Sequence, residues 1–268
     1  MGWTMAETDN PYAQQRYVAR TDAALDEGLR AYMQRVYSYM AAGVALTGVV
    51  AYLLFSFSIT TDPTLAASSG GQILNLHRGM YLTPFGQLLY MSPLKWVIML
   101  LPLGAVFFLS WRIHQMSAAA AQTVFWGFAT AMGASLSSIF LVYTGQSITQ
   151  VFFVTAAAFG ALSLWGYTTK KDLSGWGSFL IMGLFGIIIA ALVNIFLQSS
   201  GLQFAIAVIG VLVFAGLTAY DTQRIKDSYY EVAHDASAMA KGAIVGALKL
   251  YLDFINLFVL LLQLFGRR

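Results

Sequence analysis

Two aspartates stand where a membrane chain tolerates them least. Asp221 lies in "AYDTQRIK" (219–226) and Asp253 in "LYLDFINLF" (250–258), against or within stretches apolar enough to be bilayer. An unpaired ionisable group inside a spanning helix costs on the order of 2.5 to 3.5 kcal/mol, so each needs a reason. Asp253 falls about eleven residues into its apolar segment, which is roughly 16 Å from the helix start and close to the bilayer centre. Lys249, Asp253, Asn256 and Gln263 follow one another at spacings of four, three and seven. That puts them on one face of a helix otherwise built from Leu, Phe, Ile and Val. Such a face turns toward the bundle interior or a wet cavity, which makes this a central helix.

Asp221 closes the preceding apolar segment, with Arg224 three residues after it. One reading is a solvated structural pair with Arg224 at the cytosolic mouth. The other gives Asp221 the partner Asp253: two carboxyls drawn together in a low-dielectric bundle cannot both ionise cheaply, so they share a proton and titrate as a pair. Such a pair is a pH sensor and gate, and it offers oxygen ligands to a hard cation such as Ca²⁺. Arg112, at the end of "FFLSWRIHQ", is either a latch for this pair or an arginine snorkelling to headgroups. Asn194 in "ALVNIF" is either a pore-lining group or an interhelical hydrogen bond.

The elements that must position these residues are membrane helices. The 268 residues are 58% hydrophobic and 10% charged, with mean hydropathy +0.67, outside the profile of a soluble domain. Seven segments are long and apolar enough to span: 36–57, 94–112, 121–143, 149–168, 177–198, 203–222 and 242–265. An all-α integral membrane protein follows, a seven-transmembrane-helix bundle with helix seven central. The short connections "YTGQSI" and "LQSSGLQ" predict tight hairpins, and residues 58–93, with three of the five prolines, predict a loop carrying an amphipathic piece near "FGQLLYM". Residues 1–34 are polar and of mixed sign, which predicts a cytosolic N-terminal tail ahead of a membrane domain at 35–268. With the N-terminus in the cytosol, ten Lys and Arg fall on that side and four on the other, with Lys249 inside the seventh segment. The C-terminal Arg267 and Arg268 sit outside if that segment spans and inside if it is re-entrant. Small residues recur at four-residue spacing in Gly127, Ala131 and Ser135, and in Gly242 and Gly246, as close helix packing requires.

Other chemistries find no support in the residues. The net charge of +3 comes without a Lys/Arg run, so there is no case for nucleic acid. Without cysteine there is no disulfide, thiolate metal site or cysteine nucleophile. His77, His114 and His234 lie in or beside loops on different sides of the membrane, too dispersed for an intramembrane metal cluster, and no GxSxG or HExxH occurs. The expectation is a protein that is not an enzyme and carries no cofactor.

"GLTAYDTQRIK" (216–226), followed about twenty residues later by "ALKLYLDFINLFVLLLQLFG" (247–266), resembles the signature end of the transmembrane Bax inhibitor motif family, in its bacterial inner-membrane branch. The resemblance spans all seven segments in order and spacing. It implies a multi-pass inner-membrane protein with a central seventh helix and a calcium leak regulated by the two motif aspartates, here Asp221 and Asp253. The arginine that in a bacterial member latches onto this pair matches Arg112 through the apolar run before it. Lys249 departs from the family pattern, and a cation there neutralises Asp253 and weakens or reverses the preference for a divalent ion.

The expected partners are the bilayer and Ca²⁺ or other cations. Two rivals remain open: a membrane-embedded regulator of a membrane-protein partner such as a protease, in which the aspartates are structural, and a proton-coupled transporter, for which no internal repeat is evident.

Overall fold

The computed structural model describes residues 11–69, 72–76, 79–112 and 115–267, with no account of the side chains of 11–24, 69, 72, 103, 106, 107 and 109–111. His77, Arg78, His114, Arg268 and the first ten residues of the polar tail lie outside the described residues. The chain is helical almost throughout: α1 (Pro11–Ser58), α2 (Pro84–Tyr90), α3 (Leu94–Arg112), α4 (Ala118–Leu136), α5 (Ile139–Val142), α6 (Gly145–Thr168), α7 (Ser174–Leu197), α8 (Ser200–Val232) and α9 (Ala236–Phe265). Among the described residues six helical stretches are long and apolar enough to cross a membrane: Leu25–Ser58, Ala118–Val142, and all of α6, α7, α8 and α9. It is an all-α, multi-pass membrane protein.

The expected loop between the first two long helices holds two short antiparallel pairs. β1 (Ile59–Thr60) pairs with β4 (Tyr81–Leu82), and β2 (Ser68–Ser69) with β3 (Gln72–Ile73). The amphipathic piece is α2, capped by Thr83, whose hydroxyl accepts from the Gly86 amide at 3.1 Å, and seated through Gly86 and Leu89.

Helix boundaries depart from the apolar runs where a polar segment keeps a helical stripe. Leu29, Tyr32, Met33, Val36 and Met40 are buried, so α1 already packs into the bundle several residues before the predicted boundary at 34/35. Likewise α8 runs ten residues past 222, because Thr222, Ile225 and Tyr229 recur on its inner face. Asp221 therefore lies within a helix instead of closing one.

Of the six apolar stretches α9 is the most buried. In its most apolar window 72% of residues are buried, against 6% for α7, which lies at the periphery. Asp235 caps α9 by accepting from the amides of Ser237 (2.7 Å) and Ala238 (3.2 Å). One aromatic face meets α1 and α4: Tyr251, fully buried, sits edge-on to Phe125 and Phe128, and its hydroxyl bonds Thr47 at 2.6 Å. Another meets α6, where Phe254 is edge-on to Phe152 and Phe159. The predicted small-residue contacts hold at Gly242 against Tyr32 and Gly246 against Ile225, whereas Gly127 faces open space. At 30 residues α9 extends about 45 Å. The Arg267 carbonyl accepts from the Thr144 amide (3.1 Å) at the α5–α6 turn, so this end of α9 lies opposite the α8–α9 turn.

Candidate functional site

The rotational setting of α8 follows from its neighbour α6. A hydroxyl chain runs from Tyr37 to Ser163 (2.6 Å) and from Ser163 to Thr222 (2.9 Å), and Thr222 donates to the Thr218 carbonyl at 2.7 Å. A Cβ at Gly166 would run into the Ala219 carbonyl, so only glycine lets the two backbones approach this closely. Gln223 is tied to the α6–α7 connection, accepting from the Leu173 amide at 2.8 Å and donating to the Lys171 carbonyl at 2.9 Å. With Thr222 and Gln223 held on that side, the preceding residues Tyr220 and Asp221 turn toward α7 and α9.

There they line a cavity of about 1030 Å³ between α7, α8 and α9, which also receives the polar stripe of α9. Asp221, Lys249, Asp253, Asn256 and Asn194 all border it. The α9 stripe behaves as its spacing requires, and α7, folded back along α8 by the short α7–α8 turn, supplies the facing wall. That turn is built on Gln198 in the left-handed region (φ 48°). Asn194 is four residues from this turn and not deep in the membrane helix; its side-chain oxygen accepts from the Ser199 amide at 3.0 Å, a turn cap in place of an interhelical bond. Asn256 donates to the Leu252 carbonyl on its own helix at 2.8 Å.

The electrostatics centre on Asp253. It is 4% exposed, and its Oδ2 is buried without a hydrogen-bond partner. Asp221 is half-buried, and Asp221 and Lys249 are the two charges that act on Asp253. Arg224 directs Nη1 to the Tyr220 hydroxyl at 3.2 Å, while its charge also acts on Asp221 three residues before it. Arg112 is exposed at the end of α3 and does not border the cavity. Among the described residues no cluster of three or more His, Cys, Asp or Glu is placed to hold a metal. Two carboxylates supply fewer than the six to eight oxygens of a resident Ca²⁺ site.

Tyr220, Gln198 and Gln203 also border the cavity and were not among the predicted residues. Tyr220 had a signal in its place beside Asp221. The glutamines had none, because their role depends on which helix faces α9.

The family described as "Inhibitor of apoptosis-promoting Bax1" matches residues 29–268. The chain belongs to this family. It is similar to a Caulobacter vibrioides protein, 43% identical over 262 residues, covering 98% of each chain. The Rickettsia prowazekii protein RP147 is 44% identical over 243 residues, covering 91% of this chain and 92% of its own. An Escherichia coli K12 relative bearing the name inner membrane protein YbhL is 42% identical over 243 residues, covering 90% and 93%. The match begins at Leu29, where α1 enters the core.

Proposed function

We propose that this family member is a pH-sensitive cation leak of the bacterial inner membrane, gated by Asp221 and Asp253, with Ca²⁺ the divalent ion implied by the family resemblance. In this reading α3 is the seventh span, α9 is the central helix and the N-terminus is cytosolic; the name of the Escherichia coli relative supports the location. The protein is not an enzyme and needs no cofactor.

The observation that carries the reading is the convergence of two aspartates from different helices on one cavity, with Asp253 Oδ2 buried and unpartnered. A carboxylate oxygen in such a place is stable only while a proton or a cation answers its charge. Exchange between those two occupants couples ion passage to pH. The charged and titratable groups around the pair are Lys249 on α9 and Tyr220 and Arg224 on α8; the α7 wall contributes the neutral Asn194 and Gln198.

The test is cation flux into liposomes carrying the purified protein, Ca²⁺ first, from pH 5 to 8, with Asp221→Asn and Asp253→Asn measured beside wild type. Flux that varies with pH, and loses that variation in either variant, supports the gate. If wild type passes no cation faster than empty liposomes, the leak is refuted and the regulator reading takes its place.

A further inference from the structure

A second cavity, about 910 Å³, lies between the last turns of α8 and the first turns of α9 and is bordered by Asp227, Glu231 and Lys241. It is distinct from the aspartate cavity, yet three residues border both: Tyr220, Arg224 and Lys249. Two of these carry positive charge. The third holds one of them, through the 3.2 Å bond from Arg224 Nη1 to the Tyr220 hydroxyl. Tyr220 is itself fixed from the α7 side, where a Cβ on Gly177 would stand only 2.5 Å from its ring. Lys249 approaches from α9, one turn before Asp253 and on the same face.

We propose that Arg224 and Lys249, organised by Tyr220, form a cationic collar between the two cavities that sorts permeating ions by their charge, favouring monovalent over divalent cations. This rests on the leak reading for its substrate, though the collar itself is an electrostatic barrier that exists with or without flux. A cation leaving the aspartates for the second cavity must pass the two positive charges of Arg224 and Lys249 before it reaches Asp227 and Glu231. The repulsion scales with the ion's charge, so a barrier that slows a monovalent cation about tenfold slows a divalent one about a hundredfold. The carboxylates concentrate cations, and the collar limits which of them pass.

The chain has no cysteine, so Asn256→Cys places a single thiol in the aspartate cavity, beyond the collar. Its rate of modification is measured in membranes with two methanethiosulfonates of similar size, one trimethylammonium and one sulfonate, applied from the side of the α8–α9 turn. With Lys249→Gln or Arg224→Gln added, the cationic reagent should react about tenfold faster and the anionic reagent slower. Lys249→Arg should restore the original order. If both reagents speed up together, or neither changes, the collar is overturned and Lys249 only neutralises the aspartates for folding.

In liposomes, Lys249→Gln should raise Ca²⁺ flux by roughly the square of its effect on K⁺ flux. Equal effects on the two ions overturn the proposed sorting. The outcomes separate the two claims: charge-dependent labelling without flux in any variant leaves the collar standing and removes the leak, whereas flux with charge-independent labelling does the reverse.

Discussion

Replacing Asp253 with Asn should stabilise the bundle, and the sign of that effect separates a working carboxylate from a structural one. The side chain is 4% exposed and its Oδ2 has no hydrogen-bond partner, while Asp221 adds a second negative charge and Lys249 a compensating positive one. Removing one member of a well-made buried ion pair costs about 3 to 5 kcal/mol, because the other charge is left stranded. Removing an unsatisfied carboxylate has the opposite effect. Placing Asp in a spanning helix costs on the order of 2.5 to 3.5 kcal/mol, and Asn has nearly the same shape without the charge. Part of the gain is offset because Lys249 loses a counter-charge, although Asp221 remains as one. The net expectation is a stabilisation of about 1 to 2 kcal/mol. Reversible unfolding in mixed detergent micelles at pH 7 and fixed salt measures it. A loss of 2 kcal/mol or more would refute the argument and make Asp253 a structural anchor.

Two further outcomes follow from the surroundings of the pair. Gly166→Val should force α6 and α8 apart at the Ala219 carbonyl and destabilise the protein by about 2 to 3 kcal/mol in the same micelle titration, whereas Gly127→Val, in open space, should leave it within about 0.5 kcal/mol. At the start of α7, outside the membrane, hydrogen bonds from Ser174 hold the Asp172 carboxyl below its ordinary value of 3.8. A depressed folded value means that its stabilisation is present above 3.8 and is lost as pH falls through the lower folded value. Asp172→Asn should therefore unfold more readily than wild type at pH 7 and converge with it only at strongly acid pH.

The periodicity of α9 was legible because all its evidence lies on one helix: Lys249, Asp253, Asn256 and Gln263 needed only their spacing to share a face. Which helices that face meets is a different kind of fact. Asp221 could be matched to Asp253 through the family motif, but Tyr220 and Gln203 enter the site only because the turn at Gln198 folds α7 back along α8. Helix ends were misjudged where hydropathy and periodicity part. The apolar run stops near 222, yet Ile225 and Tyr229 keep the inner stripe of α8 going, and Leu29 does the same at the other end of the chain. Arg112 is a candidate latch only through the apolar run before it, which fixes where α3 ends and says nothing of what lies opposite; the exposed side chain away from the cavity fits the alternative, an arginine reaching for headgroups.

Polar residues in a membrane chain look alike in sequence, and the structure sorts them by whether their hydrogen bonds are complete. Thr47, Ser163, Thr222 and Gln223 are buried and each is spent on a neighbour: Thr47 on Tyr251 and the Ala129 carbonyl (2.9 Å), Ser163 on Tyr37 and Thr222, Gln223 on the α6–α7 connection. Such groups join helices, and nothing is left over to bind a solute. Asp253 differs because one of its carboxylate oxygens is buried with no hydrogen-bond partner, on a residue that borders the cavity. The satisfied groups tie α1, α4, α6 and α8 to one another and to α9. A frame of completed hydrogen bonds thus surrounds a carboxylate oxygen left without a partner, and its need for a proton or a cation is the physical basis of the proposed leak.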